Sequence, residues 1–317
     1  MREIRVFDMF CGGGGSSLGA RAAGARIVGG ADMAEYAALS FRANFPEAKL
    51  LSGDLRKHNT ATVARLVGRV DLLLSSPECT NHTCAKGSAP RSEESRETAL
   101  QVLRYARVFE PRWIVLENVV HMRPWKRYSE LKTGLSDLGY QVQEVVLDAA
   151  DFGIPQRRRR LFMVADKEHR LGALSFPKST AKPANSILDA RGTWKTTPLR
   201  QKGRAKDTLK RAERAIAEVG TKTPFLLVYY GTDGAGGWQS LDVPLRTVTT
   251  LDRFALVEPG PNGHTMRMLQ PSELRRAMGF PASYHFPEGT RRDKIRLLGN
   301  AVCPPVMKQI VAELTTH

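Results

Sequence analysis

The chain has 317 residues, 42% hydrophobic and 25% charged. That composition excludes a disordered chain and allows one large or two modest domains with a sizeable core. Lys+Arg 48 against Asp+Glu 32 leaves a net charge of +16, which points to a polyanionic partner, most simply nucleic acid. The cysteines, Cys11, Cys79, Cys84 and Cys303, are too few for a disulfide scaffold. No apolar run approaches the ~18 residues of a membrane span, and the first residues lack the apolar core of a signal peptide. A cytoplasmic protein with reduced thiols and no membrane contact is expected.

Residues 4–10 read as a buried strand, 11–17 as a glycine-rich turn, 18–23 as a short helix and 26–31 as a second strand. A helix over 34–44 stops at Phe45-Pro46. This rhythm is that of βαβ units in a parallel sheet. It continues with a strand over 70–74, a helix over 92–109, a strand over 113–116 and a helix over 128–138 ending at Gly139. Residues 141–147 and 160–165 read as a final, hairpin-like pair at the sheet edge.

The composition then shifts. Residues 167–222 hold 14 Lys/Arg against 5 Asp/Glu and only one clear helix, over 208–219. Residues 231–237 form a glycine-rich loop, and helical periodicity returns from Pro271 onward.

Phe10-Cys11-Gly12-Gly13-Gly14-Gly15 follows a strand and opens a helix. Glycine there allows close backbone approach to a ligand, and the helix N-terminus offers amide donors. The spacing Gly12-x-Gly14-x-x-Ser17 lacks the third glycine of the dinucleotide fingerprint, and no Gly-Lys-Ser/Thr follows, which excludes a P-loop. A tight structural turn is the simpler alternative. Asp32 ends the second strand, where a carboxylate accepts from ribose hydroxyls. Asp54 follows a third strand, placed to accept from an adenine amino group. Together these residues outline a nucleoside pocket at the carboxyl ends of the strands.

Cys79 follows the fourth strand on a polar loop, a position suited to a nucleophile. Cys79, His82 and Cys84 also have the look of zinc ligands. No fourth ligand sits at the required spacing, so no metal is expected. Glu117 closes the next apolar strand and would share a pocket with Cys79. A desolvated carboxyl there holds a proton near neutrality and donates it. Four arginines precede the strand that follows. Alternation sends Arg158 and Arg160 to one face and Arg157 and Arg159 to the other.

In order, Asp8-Met9-Phe10-Cys11-Gly12-Gly13-Gly14-Gly15, Pro77-Glu78-Cys79, Glu117-Asn118-Val119 and Pro155-Gln156-Arg157-Arg158-Arg159-Arg160 resemble motifs of the cytosine-C5 DNA methyltransferases. Arg246-Thr247-Val248-Thr249 and Gly299-Asn300-Ala301-Val302-Cys303-Pro304-Pro305 are similar to that family's later motifs, with Arg267-Met268-Leu269 and Gly279-Phe280-Pro281 on the approach. The resemblance spans nearly the whole chain. It implies an α/β fold with a doubly wound, mostly parallel sheet (class I methyltransferase, Rossmann-like) and a smaller basic recognition domain. The implied division is 1–165 plus 263–317 for cofactor and catalysis, and 166–262 for recognition. The last helix is expected beside the first, bringing Asn300 to the cofactor.

The resemblance further implies that S-adenosylmethionine lies against Phe10, Gly12 and Gly14. Asp32 is on its ribose, Asp54 near its adenine, and Pro77, Asn300 and Val302 along its methionine end. The target cytosine is implied to be flipped out of double-stranded DNA. Cys79 adds to C6, Glu117 serves N3, and Arg158 contacts the base O2 or supports Cys79. Arg158 or Arg160 supplies the field that favours a thiolate. One departure stands out: Glu78 separates proline from cysteine, and a carboxylate aimed inward opposes thiolate formation.

A monomer methylating DNA, of the restriction-modification kind, is the expected protein. The rivals are a tRNA cytosine-C5 methyltransferase, a non-catalytic nucleic-acid-binding member of the fold, and a nicotinamide-dependent oxidoreductase. The last leaves Cys79, Glu117 and the arginines unexplained.

Overall fold

β1 (Arg5–Met9) is buried at four of its five positions, as a strand covered on both faces must be. The computed structural model describes residues 3–79, 82, 92–168, 171–230 and 236–315. From β1 the chain runs through α1 (Gly15–Ala22), β2 (Arg26–Asp32), α2 (Glu35–Asn44), β3 (Lys49–Ser52), α3 (Thr60–Val67) and β4 (Leu72–Ser75). Next come α4 (Glu93–Arg96), α5 (Gln101–Phe109), β5 (Trp113–Asn118), α6 (Tyr128–Asp137), β6 (Gln141–Asp148) and β7 (Arg159–Asp166).

These strands form one sheet in the order β3-β2-β1-β4-β5-β7-β6. All pairings are parallel except those of β7 with β5 and with β6. The expected doubly wound sheet is present. The last two strands pair antiparallel as expected, but only β6 is an edge, because β7 inserts between it and β5. One face of the sheet is covered by α3, α5 and α6 through Val63, Val102, Tyr105 and Leu131. The other is covered by α1 and α2 through Ala20 and Phe41. The strand order reverses between β1 and β4, so the turns leaving these two strands open the crevice where open α/β sheets bind ligands.

The helix expected over 92–109 is broken. α4 ends at Arg96, a 3₁₀ turn covers Glu97–Leu100, and α5 begins at Gln101. Its first turns are polar, and the Thr98 hydroxyl donates to the Ser95 carbonyl at 2.6 Å, which competes with helix propagation.

β8 (Thr197–Pro198), α7 (Lys206–Val219), β9 (Phe225–Val228), β10 (Trp238–Ser240), β11 (Phe254–Glu258) and β12 (Thr265–Met268) build a second unit. Its antiparallel sheet has the order β10-β9-β11-β12-β8. Ala212 and Ala215 of α7 pack on Phe225, Leu227, Ala255 and Val257. The sheet runs past residue 262, where the sequence suggested a boundary. β12 is the hairpin partner of β11, pairing Glu258 with Thr265, so it stays with this unit.

α8 (Pro271–Ala277), α9 (Arg291–Asn300) and α10 (Pro304–Thr315) return to the first sheet. α10 lies along α1, as expected. A Cβ at Gly19 would fall 2.4 Å from the Pro304 carbonyl, so this close approach requires glycine. No helix among the described residues is long and apolar enough to cross a membrane.

Candidate active site

The glycine turn leaves β1 through a residue in the left-handed region, Phe10, at φ 57°. Its carbonyl accepts from the Ser76 hydroxyl at 3.2 Å, which ties the turn to the end of β4. The Cys11 amide donates to the Ala31 carbonyl at 2.9 Å. Asp32 closes the turn from below: its carboxylate accepts from the Gly12 amide and the Ala34 amide, each at 2.8 Å. Burial raises the Asp32 carboxyl above its ordinary range, and the amides at Ala34 and Gly12 oppose that rise.

A Cβ at Gly12 would meet nothing within 4 Å, so the turn is open on that side. The other side is closed by the C-terminal segment. The Tyr284 hydroxyl donates to the Gly13 carbonyl at 2.9 Å, and a Cβ at Gly15 would lie 2.3 Å from the Val302 carbonyl. Val302 is buried and Asn300, the last residue of α9, is exposed. Asp54 sits just beyond β3 but is already engaged. Arg56 bonds both carboxylate oxygens and pulls the carboxyl down to about 2.

Sequence reading passed over Asp8, which is wholly buried. Its carboxylate accepts from the Ser17 hydroxyl at 2.6 Å and the Ser17 amide at 3.2 Å, joining β1 to α1. Burial pushes this carboxyl up to about 7, against the Ser17 bonds. Its position in a strand of apolar residues was the available signal.

Cys79 leaves the end of β4 beside the glycine turn. The Asn118 amide group donates to the Pro77 carbonyl at 3.3 Å. The His82 amide donates to the Cys79 carbonyl at 2.9 Å. Glu78 does not face the cysteine's charge network. It is exposed, and its carboxylate accepts from the Ser95 hydroxyl at 2.7 Å. The leading charges on the Cys79 thiol are those of Arg160, Glu117 and Arg158. Thr80, Asn81 and Cys84 lie outside the described residues. Among the described residues no group of His, Cys, Asp and Glu forms a metal site.

Glu117, at the end of β5, is buried, and its Oε1 lies 3.1 Å from the Arg160 Nε. The expected alternation holds. Arg158 is buried and Arg160 half-buried, while Arg157 and Arg159 are exposed. Arg160 therefore reaches the acid. Arg158 spends its guanidinium on three carbonyls, those of Val248 at 2.9 Å, Gly299 at 2.9 Å and Ala301 at 3.0 Å. These bonds bind the chain after β10 and the last motif to β7.

Gln156 does related work that the sequence reading missed. It is fully buried, donates to the Ala277 carbonyl at 2.9 Å and accepts from the Val248 amide at 2.7 Å. Its signal was its place inside the Pro-Gln-Arg motif.

Burial raises both the Cys79 thiol and the Glu117 carboxyl, and Arg160 is the largest influence lowering each. For each group desolvation outweighs the arginine's pull, so both are held above their ordinary values. Cys303 lines a small cavity with Glu117, Arg158 and Arg160. Burial pushes its thiol up to about 11. The arrangement brings a shielded sulfur and a buried carboxyl to one arginine, at the crevice that the glycine turn opens.

Residues 4–316 match the C-5 cytosine-specific DNA methylase family. The chain is 27% identical over 319 residues to the Type II methyltransferase M.NlaX of Neisseria lactamica, covering 98% of this chain and 96% of that protein. It is 29% identical over 197 residues to the Type II methyltransferase M1.HphI of Haemophilus parahaemolyticus, covering 60% of this chain and 52% of that protein. Its fold is similar to that of a crystal structure of a prophage-encoded putative DNA modification methyltransferase from E. coli. The TM-score is 0.71 at 18% identity, over 99% of each chain.

Proposed function

The chain belongs to the C-5 cytosine-specific DNA methylases, and we propose that it methylates C5 of a cytosine flipped out of double-stranded DNA through a covalent bond to Cys79. The observation that carries this reading is the convergence of Cys79 and Glu117 on Arg160, with the end of β4 tied to the open glycine turn through Ser76 and Phe10.

The residues around that loop suit S-adenosylmethionine. Gly12 leaves room for a close neighbour, the carboxylate of Asp32 faces the turn, and Phe10 stands at its start. Phe10, Gly12, Gly14 and Asp32 would hold its nucleoside, with Asp54 near the adenine. Pro77, Asn300 and Val302 would hold its methionine part. S-adenosylmethionine, when bound, supplies an electrophilic methyl group on a sulfonium.

The chain's own residues do the rest. The Cys79 thiol loses its proton and its sulfur adds to C6, moving the C5–C6 electron pair toward C5. Glu117 holds a proton at N3 and drains charge from the ring as that bond forms. Arg160 keeps the carboxyl oriented and supports the thiolate. Arg158 acts at one remove: it fixes Val248, Gly299 and Ala301, and so places Asn300 and Val302. After C5 has gained its methyl a base takes the C5 proton, the C–H electron pair re-forms the C5–C6 double bond, and the sulfur leaves C6 with the C–S pair as a thiolate.

The excess of basic residues over 167–222 meets phosphates, which positions the duplex without reading its sequence. The protein works as a cytoplasmic monomer of the restriction-modification kind. The test is incubation of the purified protein with labelled S-adenosylmethionine and either duplex DNA or tRNA. Label recovered in DNA as 5-methylcytosine supports the reading. Label in tRNA alone, or in neither, overturns it.

A further inference from the structure

We propose that Glu78, the residue standing between Pro77 and Cys79, is a positioning residue that aims the nucleophile by fastening its turn to Ser95. The inference rests on the role of Cys79 given above. Three contacts bracket the cysteine. On one side the Asn118 side chain donates to the Pro77 carbonyl at 3.3 Å. On the other the Cys79 carbonyl accepts from the His82 amide at 2.9 Å. Between them the Glu78 carboxylate accepts from the Ser95 hydroxyl at 2.7 Å.

Two of the three lead to the same short helix, α4. The His82 ring packs edge-on against Trp125, with ring centroids 5.3 Å apart. The Trp125 indole N–H donates to Glu93 at 2.5 Å. Glu93 and Ser95 thus hold the turn on both sides of the sulfur. The Glu78–Ser95 bond restrains the peptide that joins Pro77 to Cys79.

The role is mechanical. The Glu78 carboxylate is bonded to Ser95, and the leading charges on the Cys79 thiol are Arg160, Glu117 and Arg158. An amide oxygen in its place still accepts from Ser95, so the conservative change should be tolerated.

The test compares wild type with Glu78→Ala, Glu78→Gln, Ser95→Ala and the double Glu78→Ala/Ser95→Ala. One readout is the single-turnover rate of methyl transfer to duplex DNA. The other, which needs no activity, is the rate at which iodoacetamide labels Cys79 in the free protein, read by peptide mass spectrometry. Loss of the bond should slow transfer about tenfold or more at unchanged KM for DNA, because small misplacement of a reacting atom is costly. It should also label Cys79 several-fold faster, while the buried Cys11 and Cys303 stay unlabelled and so report an intact fold. Glu78→Gln should stay within about twofold of wild type, and the double variant should be no slower than either single alanine change.

Wild-type transfer and wild-type labelling in Glu78→Ala would overturn the proposal. So would a Glu78→Gln protein as impaired as Glu78→Ala. If the wild type transfers no methyl group, the proposed activity falls, and the labelling rates alone decide for or against Glu78.

Discussion

Arg160 holds its Nε 3.1 Å from the Glu117 Oε1 and is also the largest positive influence on the Cys79 thiol. One guanidinium therefore serves both the acid and the nucleophile. It opposes, without cancelling, the burial that raises each of them. In Arg160→Gln that opposition is gone, and both groups should move further up. For the thiol the sign is simple: a higher value means less thiolate at a given pH. The pH profile of Cys79 alkylation should shift to higher pH than in wild type, where burial already raises the thiol. An unshifted profile would separate Arg160 from the cysteine.

Arg158 carries a different load. Its three bonds to Val248, Gly299 and Ala301 are made in the interior by a planar, five-donor group. Lysine cannot span three carbonyls with that geometry, and at least one would be left buried and unpaired. Arg158→Lys should lower stability by roughly 2–4 kcal/mol in denaturant unfolding. It should also weaken S-adenosylmethionine binding, because Asn300 and Val302 flank the released segment. Unchanged stability would show that the carbonyls find other donors.

Asp8 makes stability depend on pH. Its carboxyl is raised from 3.8 to about 7 by burial, so the folded protein binds that proton more tightly than the unfolded chain does. The resulting contribution is complete below about pH 3.8 and is lost as pH rises to about 7. Asp8→Asn removes the titration. Relative to wild type, the variant should gain a few kcal/mol between pH 4 and 8 in unfolding free energy. A constant difference across that range would contradict a raised Asp8.

Much of this was legible in the chain itself. β1, β4 and β5 are covered on both faces and so read as plain apolar runs, and the residues that end them, at the carboxyl edge, gave Cys79 and Glu117. The alternation through Arg157–Arg160 put Arg158 and Arg160 on one face, and that face is the inward one. What alternation does not contain is the partner. Arg158 bonds carbonyls 90 and 141 residues away, so its use as a clamp appears only once the chain has folded back. Asp54 is similar in kind: its position was readable, but the Arg56 fork depends on side-chain reach. The break between α4 and α5 escaped because Ser and Thr back-bonding is a local competition that apolar periodicity does not register. β12 was misplaced because a hairpin partner is fixed by pairing with β11 and not by composition.

The covalent step is open to a direct measurement. Duplex DNA carrying 5-fluorocytosine at target positions cannot release the C5 substituent as a proton, so the Cys79–C6 bond should persist. With S-adenosylmethionine present, wild type should form a complex that survives denaturation and maps to Cys79 by peptide mass spectrometry, and Cys79→Ala should form none. An active wild type that yields no such complex, or a complex that persists in Cys79→Ala, would contradict the assignment of Cys79 as the nucleophile.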